Sequence, residues 1–182
     1  MLTNTRQAYG WLTIALHWLA AAAVIAMLYT GFNADWAADR ETQRALMRVH
    51  IATGASVFLV LMLRVVADYL QPRPVGPEQP KPLMLLASLV HHALLIGILV
   101  QIVSGPLAVF SGGRAIDVFG AFSIPSPMAR NEGLHEAAEL AHAIGRWTII
   151  GALVLHLLGV AKHVIVDRDG VMRRMLIAGK TL

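Results

Sequence analysis

The chain contains no cysteine. That excludes disulfides, iron–sulfur clusters held by thiolates, and covalent haem attachment through C-x-x-C-H. Charge is almost as scarce. Asp, Glu, Lys and Arg make up 14% of the 182 residues, where soluble domains carry about 25%. Residues 7–34, 49–63, 82–113 and 147–161 hold no charged side chain at all. No repeat of 20–50 residues is visible, so a solenoid is excluded. A net charge of +4 and a pI near 10.0 raise the question of nucleic acid. The basic residues, however, fall between the apolar runs and form no basic face or recognition motif. No nucleic-acid partner is expected, and a lipid bilayer explains the charge better.

What the sequence has instead is apolar length. It is 57% hydrophobic with a mean hydropathy of +0.62. A membrane span needs about 20 apolar residues, and four such spans fit, at about 11–32, 43–69, 83–110 and 133–166. The expected fold is all-α, a single integral membrane four-helix bundle over 1–182. Tyr9, Trp11, Tyr29 and Trp36 lie towards the ends of the first span, as interfacial aromatics do. That run is too long for a cleaved signal peptide, and it carries His17 and Trp18. The proline-rich residues 71–82 cannot continue a helix. Residues 111–130, rich in Gly, Ser and Pro yet apolar, are expected to lie in the membrane interface. Asp167 to Gly170 is expected to stop the last span. Four spans put both termini on one side. Nine Lys and Arg fall on that side and six on the other, which also has seven of the eleven acids. The positive-inside rule then makes both termini cytoplasmic.

Histidines stand out in this setting, because a polar ring at membrane depth is costly unless something uses it. His142 and His156 lie fourteen residues apart on the fourth span. That is nearly four whole turns, so both rings leave one helix face, roughly 21 Å apart along the axis. His17 and His156 lie about 12–16 Å inside the cytoplasmic ends of their spans, whereas His50 and His142 lie near the outer ends. Depth therefore pairs His17 with His156 and His50 with His142. Paired imidazoles inside a bundle suit bis-histidine ligation of two non-covalent b haems. The plain alternative at each position is a hydrogen-bonded packing histidine. His135 competes with His142 as outer ligand, but its twenty-one-residue separation from His156 is about 31 Å, which would push a haem out of the bilayer. His91 and His92 are candidates for a quinone site, and His163 reads as interfacial. Arg48 and Arg146 outside, with Arg64 and Lys162 inside, could meet haem propionates. The row Arg40, Arg44 and Arg48 is by default a solvated helix face, and otherwise an anion-attracting funnel.

These residues also carry a resemblance. The run Ala15-Leu16-His17-Trp18 is followed by Arg48-Val49-His50 with Gly54, and by Leu63-Arg64 before Pro72-Arg73-Pro74. Further on come His91 fourteen residues before Gly105, Phe119-Gly120 before Ile124-Pro125, and Leu155-His156 before Lys162-His163. The chain closes with Asp169-Gly170-Val171-Met172-Arg173-Arg174-Met175-Leu176. In order and spacing the whole chain resembles the bacterial cytochrome b-561 family. One departure is that the His-Glu dipeptide usual at the outer ligand is His135-Glu136 here, while His142 is followed by Ala143. The resemblance implies two b haems on the histidines paired by depth, and a membrane oxidoreductase. It further implies oxidation of superoxide, or another periplasmic electron donor, outside and reduction of ubiquinone from the quinone pool near the cytoplasmic face. Two alternatives remain at this stage. One is a cytochrome b membrane anchor and electron relay for a separate dehydrogenase or hydrogenase. The other is a non-haem channel or transporter, for which no inverted repeat or discontinuous span is seen.

Overall fold

The computed structural model describes residues 1–181. Four long helices dominate: α1 (Trp11–Asp35), α2 (Arg40–Leu70), α3 (Lys81–Ser111) and α4 (Glu132–Ala161). A π-helical turn, Lys162–Asp167, prolongs α4, and a short α5 (Val171–Arg174) follows it. All four long helices are long and apolar enough to cross a membrane. The fold is an all-α bundle, as its charge-free runs predict.

Local chemistry sets the helix ends. Asp39 caps α2, accepting from the amides of Glu41 (2.9 Å) and Thr42 (2.8 Å), so the helix begins within the polar connection. The Thr42 amide and hydroxyl, with the Glu41 amide, hold the exposed Asp39 carboxyl below its ordinary pKa. Asn131 caps α4 through the Leu134 amide (3.0 Å). Pro82 sits in the first turn of α3, where a missing N–H costs nothing, and the helix continues through Pro106. At α1 the cap residue is Gly10, and the carbonyls of Met1 and Leu2 accept from the amides of Trp11 and Leu12 instead (both 3.1 Å). Arg168 and Gly170, both in the left-handed region (φ 52° and 79°), end the last helix where the Asp167–Gly170 stop was expected.

Both termini meet at one end, called here the terminal end. The buried Arg174, 3% exposed, donates to the carbonyls of Val75 (2.9 Å) and Gln7 (3.0 Å) and lies over the Tyr9 ring. One guanidinium thereby ties the N-terminal segment, the proline-rich loop and the tail together. The Trp18 indole donates to the carbonyl of Met175 (2.8 Å), adding a second tie to α1.

At the opposite end, residues expected to be an irregular interfacial stretch form a small antiparallel hairpin, β1 (Ile116–Val118) with β2 (Phe122–Ile124). Phe119 and Gly120 make its turn at positive φ. Ile116 and Val118 pack with Val109 against Ile51, Ala55 and Phe110, while Phe119 and Phe122 stay exposed. The interfacial reading fits that exposure, but the strands were not foreseen. Alternating Ile116, Val118, Phe122 and Ile124 about a glycine was the available signal.

Packing is uneven, and this positions everything below. Helix α3 lies along α4 and α1 along α2, whereas neither α1 nor α2 packs closely along α4. The buried core joins Ala20 and Ala23, Leu61 and Val65, Leu95, Ile98 and Ile102, and Ile149. Gly97 and Gly145 bring α3 and α4 together: a methyl at Gly97 would stand 2.6 Å from Ile149 Cγ1, and one at Gly145 2.9 Å from Val100 Cγ1. Gly97→Ala is therefore expected to lower stability by about 1–3 kcal/mol through overpacking. Gly151→Ala, which points into open space, is expected to be neutral or slightly stabilising. Thermal unfolding of the two variants in detergent checks the contrast.

Candidate functional site

The gap between the α1/α2 and α3/α4 halves is where the histidines meet. His17 on α1 faces His156 on α4 with ring centres 6.2 Å apart and planes at 57°. Nearer the hairpin end, His50 on α2 faces His142 on α4, also at 6.2 Å, with planes at 88°. The structure thus brings together the residues that depth had paired, one pair near each end of α4. A metal held about 2 Å from a nitrogen of each ring needs ring centres roughly 6 Å apart. Both pairs meet that spacing. A flat macrocycle held between them would occupy the side of the bundle that helix packing leaves open. The residues present fit two bis-imidazole groups.

The hairpin-end pair is held in detail. Thr30 Oγ1 lies 3.0 Å from His50 Nδ1, and Ser104 Oγ lies 3.1 Å from His142 Nδ1. Each hydroxyl donates its hydrogen one turn back, Thr30 to the Ala26 carbonyl (2.9 Å) and Ser104 to that of Val100 (2.7 Å). A hydroxyl has one hydrogen, so each oxygen is left able to accept from a ring that carries its hydrogen on Nδ1. Beside each hydroxyl is a glycine on which the ring rests. A methyl at Gly31 would stand 3.2 Å from His50 Cε1, and one at Gly105 3.4 Å from His142 Cε1. Turned so that its own contacts are met, the Gln101 carboxamide donates to His142 Nδ1 (3.0 Å) and to the His142 carbonyl (3.1 Å) and accepts from the Arg146 amide (3.2 Å). Among the described residues, no hydrogen bond to His17 or His156 is seen.

The other predicted residues fall as follows. His135 is turned towards α3, its Nδ1 donating to the Ala108 carbonyl (2.8 Å), with Nε2 3.3 Å from Glu139. His91 stands beside His156, ring centres 5.4 Å apart. His92 donates from Nδ1 to the Ser88 carbonyl (2.7 Å) and lies 3.4 Å from Arg73. Arg40, Arg44 and Arg48 are exposed and make no ion pair among the described residues. Arg64 pairs with Asp68 (3.2 Å), which also receives Arg73 (2.7 Å), and Lys162 pairs with Asp167. Arg146 bonds Asp35 (2.5 Å) and lies over the rings of Phe32 and Trp147, yet its Nε is buried without a partner. This is an orphaned donor on α4, one turn from His142.

His163 bonds Asp169 (2.6 Å) with Asp167 nearby (3.3 Å), closing the π-helical turn. Burial opposes ionisation of Asp169. Hydrogen bonds from the Val171 amide and His163 outweigh it and hold the carboxyl below its usual range. Sequence reasoning had left His163 at the interface and missed this turn. It also missed Thr30, Ser104 and Gln101, which show no pattern of their own, and Arg174, whose partners are backbone carbonyls.

Comparison with known proteins gives a consistent answer. A family model described as prokaryotic cytochrome b561 matches residues 8–177. The chain is 29% identical over 180 residues to cytochrome b561 homolog 2 of Escherichia coli (strain K12), covering 96% of this chain and 94% of that protein. It is 22% identical over 169 residues to probable superoxide oxidase CybB of Yersinia pestis, covering 92% and 95%.

The Asp35–Arg146 pair joins the end of α1 to α4 across the open side of the bundle. Asp35→Ala is expected to destabilise the protein by about 1 kcal/mol, and more than Asp35→Ala costs when Arg146→Ala is already present. A double-mutant cycle by thermal unfolding measures the coupling.

Proposed function

The chain belongs to the prokaryotic cytochrome b561 family, and we propose that it moves electrons from superoxide outside to a quinone near the cytoplasmic face. Membership makes it a multi-pass bacterial membrane cytochrome that binds b-type haem and transfers electrons across the bilayer. One observation carries the finer reading. Two imidazole pairs, each 6.2 Å across, lie at two depths of one bundle.

In this reading His50 and His142 would hold one haem, and His17 and His156 a second. Bound there, each haem would supply reversible one-electron chemistry. The hairpin end faces the periplasm, and both termini lie in the cytoplasm of a cell with this inner membrane. The exposed and unpaired Arg40, Arg44 and Arg48 draw the superoxide anion to that face. Arg146, with its spare Nε, binds a propionate there. Arg64 is the corresponding cation beside His17 and His91, with Lys162 below it. His91, next to His156, faces the quinone and hydrogen-bonds its oxygen, and His92 lines the approach from Arg73. The reaction balances as two superoxide anions and one quinone with two cytoplasmic protons, giving two dioxygen molecules and a quinol. A distant relative named probable superoxide oxidase supports the choice of donor.

His135 is left out of the ligand set because its Nδ1 donates to Ala108 on α3 and its Nε2 lies beside Glu139 on its own helix. Purified protein is expected to hold two haems per chain, His142→Ala one and His135→Ala two, by pyridine haemochrome assay against protein concentration. A His135→Ala protein with one haem would overturn that choice. Stopped-flow mixing of superoxide with oxidised protein should reduce it, and an unchanged haem spectrum would sink the oxidase reading. Replacing Arg40, Arg44 and Arg48 together by Gln should slow that step several-fold at low salt. The difference should shrink as ionic strength passes 0.1 M, where the screening length is about 10 Å.

A further inference from the structure

We infer that Thr30 and Ser104 are positioning residues that fix the tautomer of His50 and His142 and hold down the reduction potential of the haem those rings bind. The inference rests on the ligand assignment above and goes one layer beyond it.

The same two-residue device occurs twice. On α1, Thr30-Gly31 meets the His50 ring from α2. On α3, Ser104-Gly105 meets the His142 ring from α4. In the tautomer that leaves Nε2 free to ligate, the hydroxyl takes the Nδ1 hydrogen, and the glycine leaves room for the ring beside it. The hydroxyl cannot reverse roles cheaply, because its own hydrogen is donated to a carbonyl one turn back. With Nδ1 committed, Nε2 is left as the free lone pair, and no bond to it is found among the described residues for either ring. This is the arrangement a metal-ligating imidazole needs.

A ring that donates from Nδ1 is more electron-rich and favours the oxidised metal, which lowers the potential. His17 and His156 have no such acceptor among the described residues. The device therefore separates the two sites energetically, making the hairpin-end site the weaker electron acceptor. That ordering runs electrons from the hairpin end towards the terminal end. Gln101 is the competing group, since an amide hydrogen donated to His142 Nδ1 would hold the opposite tautomer.

The test is a potentiometric titration of the full chain in detergent, followed by absorbance. His50→Ala, expected to hold one haem, identifies which midpoint belongs to the hairpin-end site. Thr30→Val and Ser104→Ala are expected to keep two haems, raise that midpoint and leave the other unmoved. The double variant should shift further, and the conservative Thr30→Ser and Ser104→Thr should restore the wild-type value. An unmoved or lowered hairpin-end midpoint at full haem content, or an equal shift at both sites, would overturn the inference. Should Thr30→Val fail to fold, Ser104→Ala, which removes only an oxygen, carries the test alone. A His50→Ala protein that keeps both haems would bring down the ligand assignment and this inference with it, and the haem count reads that outcome separately from the potentials.

Discussion

The bundle depends on one constraint: two pairs of imidazoles must face each other inside an apolar setting without their helices closing up. An uncharged imidazole still carries polar nitrogens, and burying them without partners costs free energy. Ordinary helix packing would satisfy this by turning the rings aside or filling the space between them. Here the halves pack tightly within themselves, α1 on α2 and α3 on α4, and loosely across the gap. Gly97 and Gly145 allow α3 and α4 their close contact, so α4 is held on a rigid partner while its histidine face looks outward.

Keeping such a gap needs ties at its ends. At the terminal end, Arg174 grips the carbonyls of Gln7 and Val75, and Trp18 reaches Met175, so the tail fastens α1 and the loop before α3 to the base of α4. Towards the hairpin end, Asp35 and Arg146 bridge α1 and α4 directly. The hairpin leans Ile116 and Val118 on α2 beside His50. These contacts are polar or peripheral. The apolar core of Ala20, Leu61, Leu95 and Ile149 joins the four helices, and the paired rings stand 6.2 Å apart at both depths.

Much of this was legible in the sequence because its strongest signals are additive along the chain. A long run with few or no charges reads as a helix wherever it occurs, and the fourteen-residue step from His142 to His156 fixes a common face whatever the surroundings. Depth alone then matched His17 to His156 and His50 to His142. What escaped notice depends on a second residue far away. Thr30 and Ser104 look like ordinary helix hydroxyls until the rings they meet are known. Asp35 and Arg146 are 111 residues apart, and Arg174 bonds backbone that no sequence pattern marks. The row Arg40, Arg44 and Arg48 was visible, but that it lacks carboxylate partners emerges only in three dimensions.

That last point bears on the direction of transfer. Near His17 the cation Arg64 is compensated by Asp68, and Lys162, six residues beyond His156, by Asp167. Above His50 the arginine row stands exposed and uncompensated. A fixed positive field raises the local concentration of anions, and a neutral molecule gains nothing from it. Over the whole face the six Lys and Arg at the hairpin end are outnumbered by seven acids, so any pull on an anionic donor comes from the local row alone. The hydrogen bonds on His50 and His142 act in the same sense, since an electron-rich ligand set gives up its electron more readily. In the proposed direction of transfer, the local arginine row and the proposed ligand chemistry, set by different residues, act in the same sense.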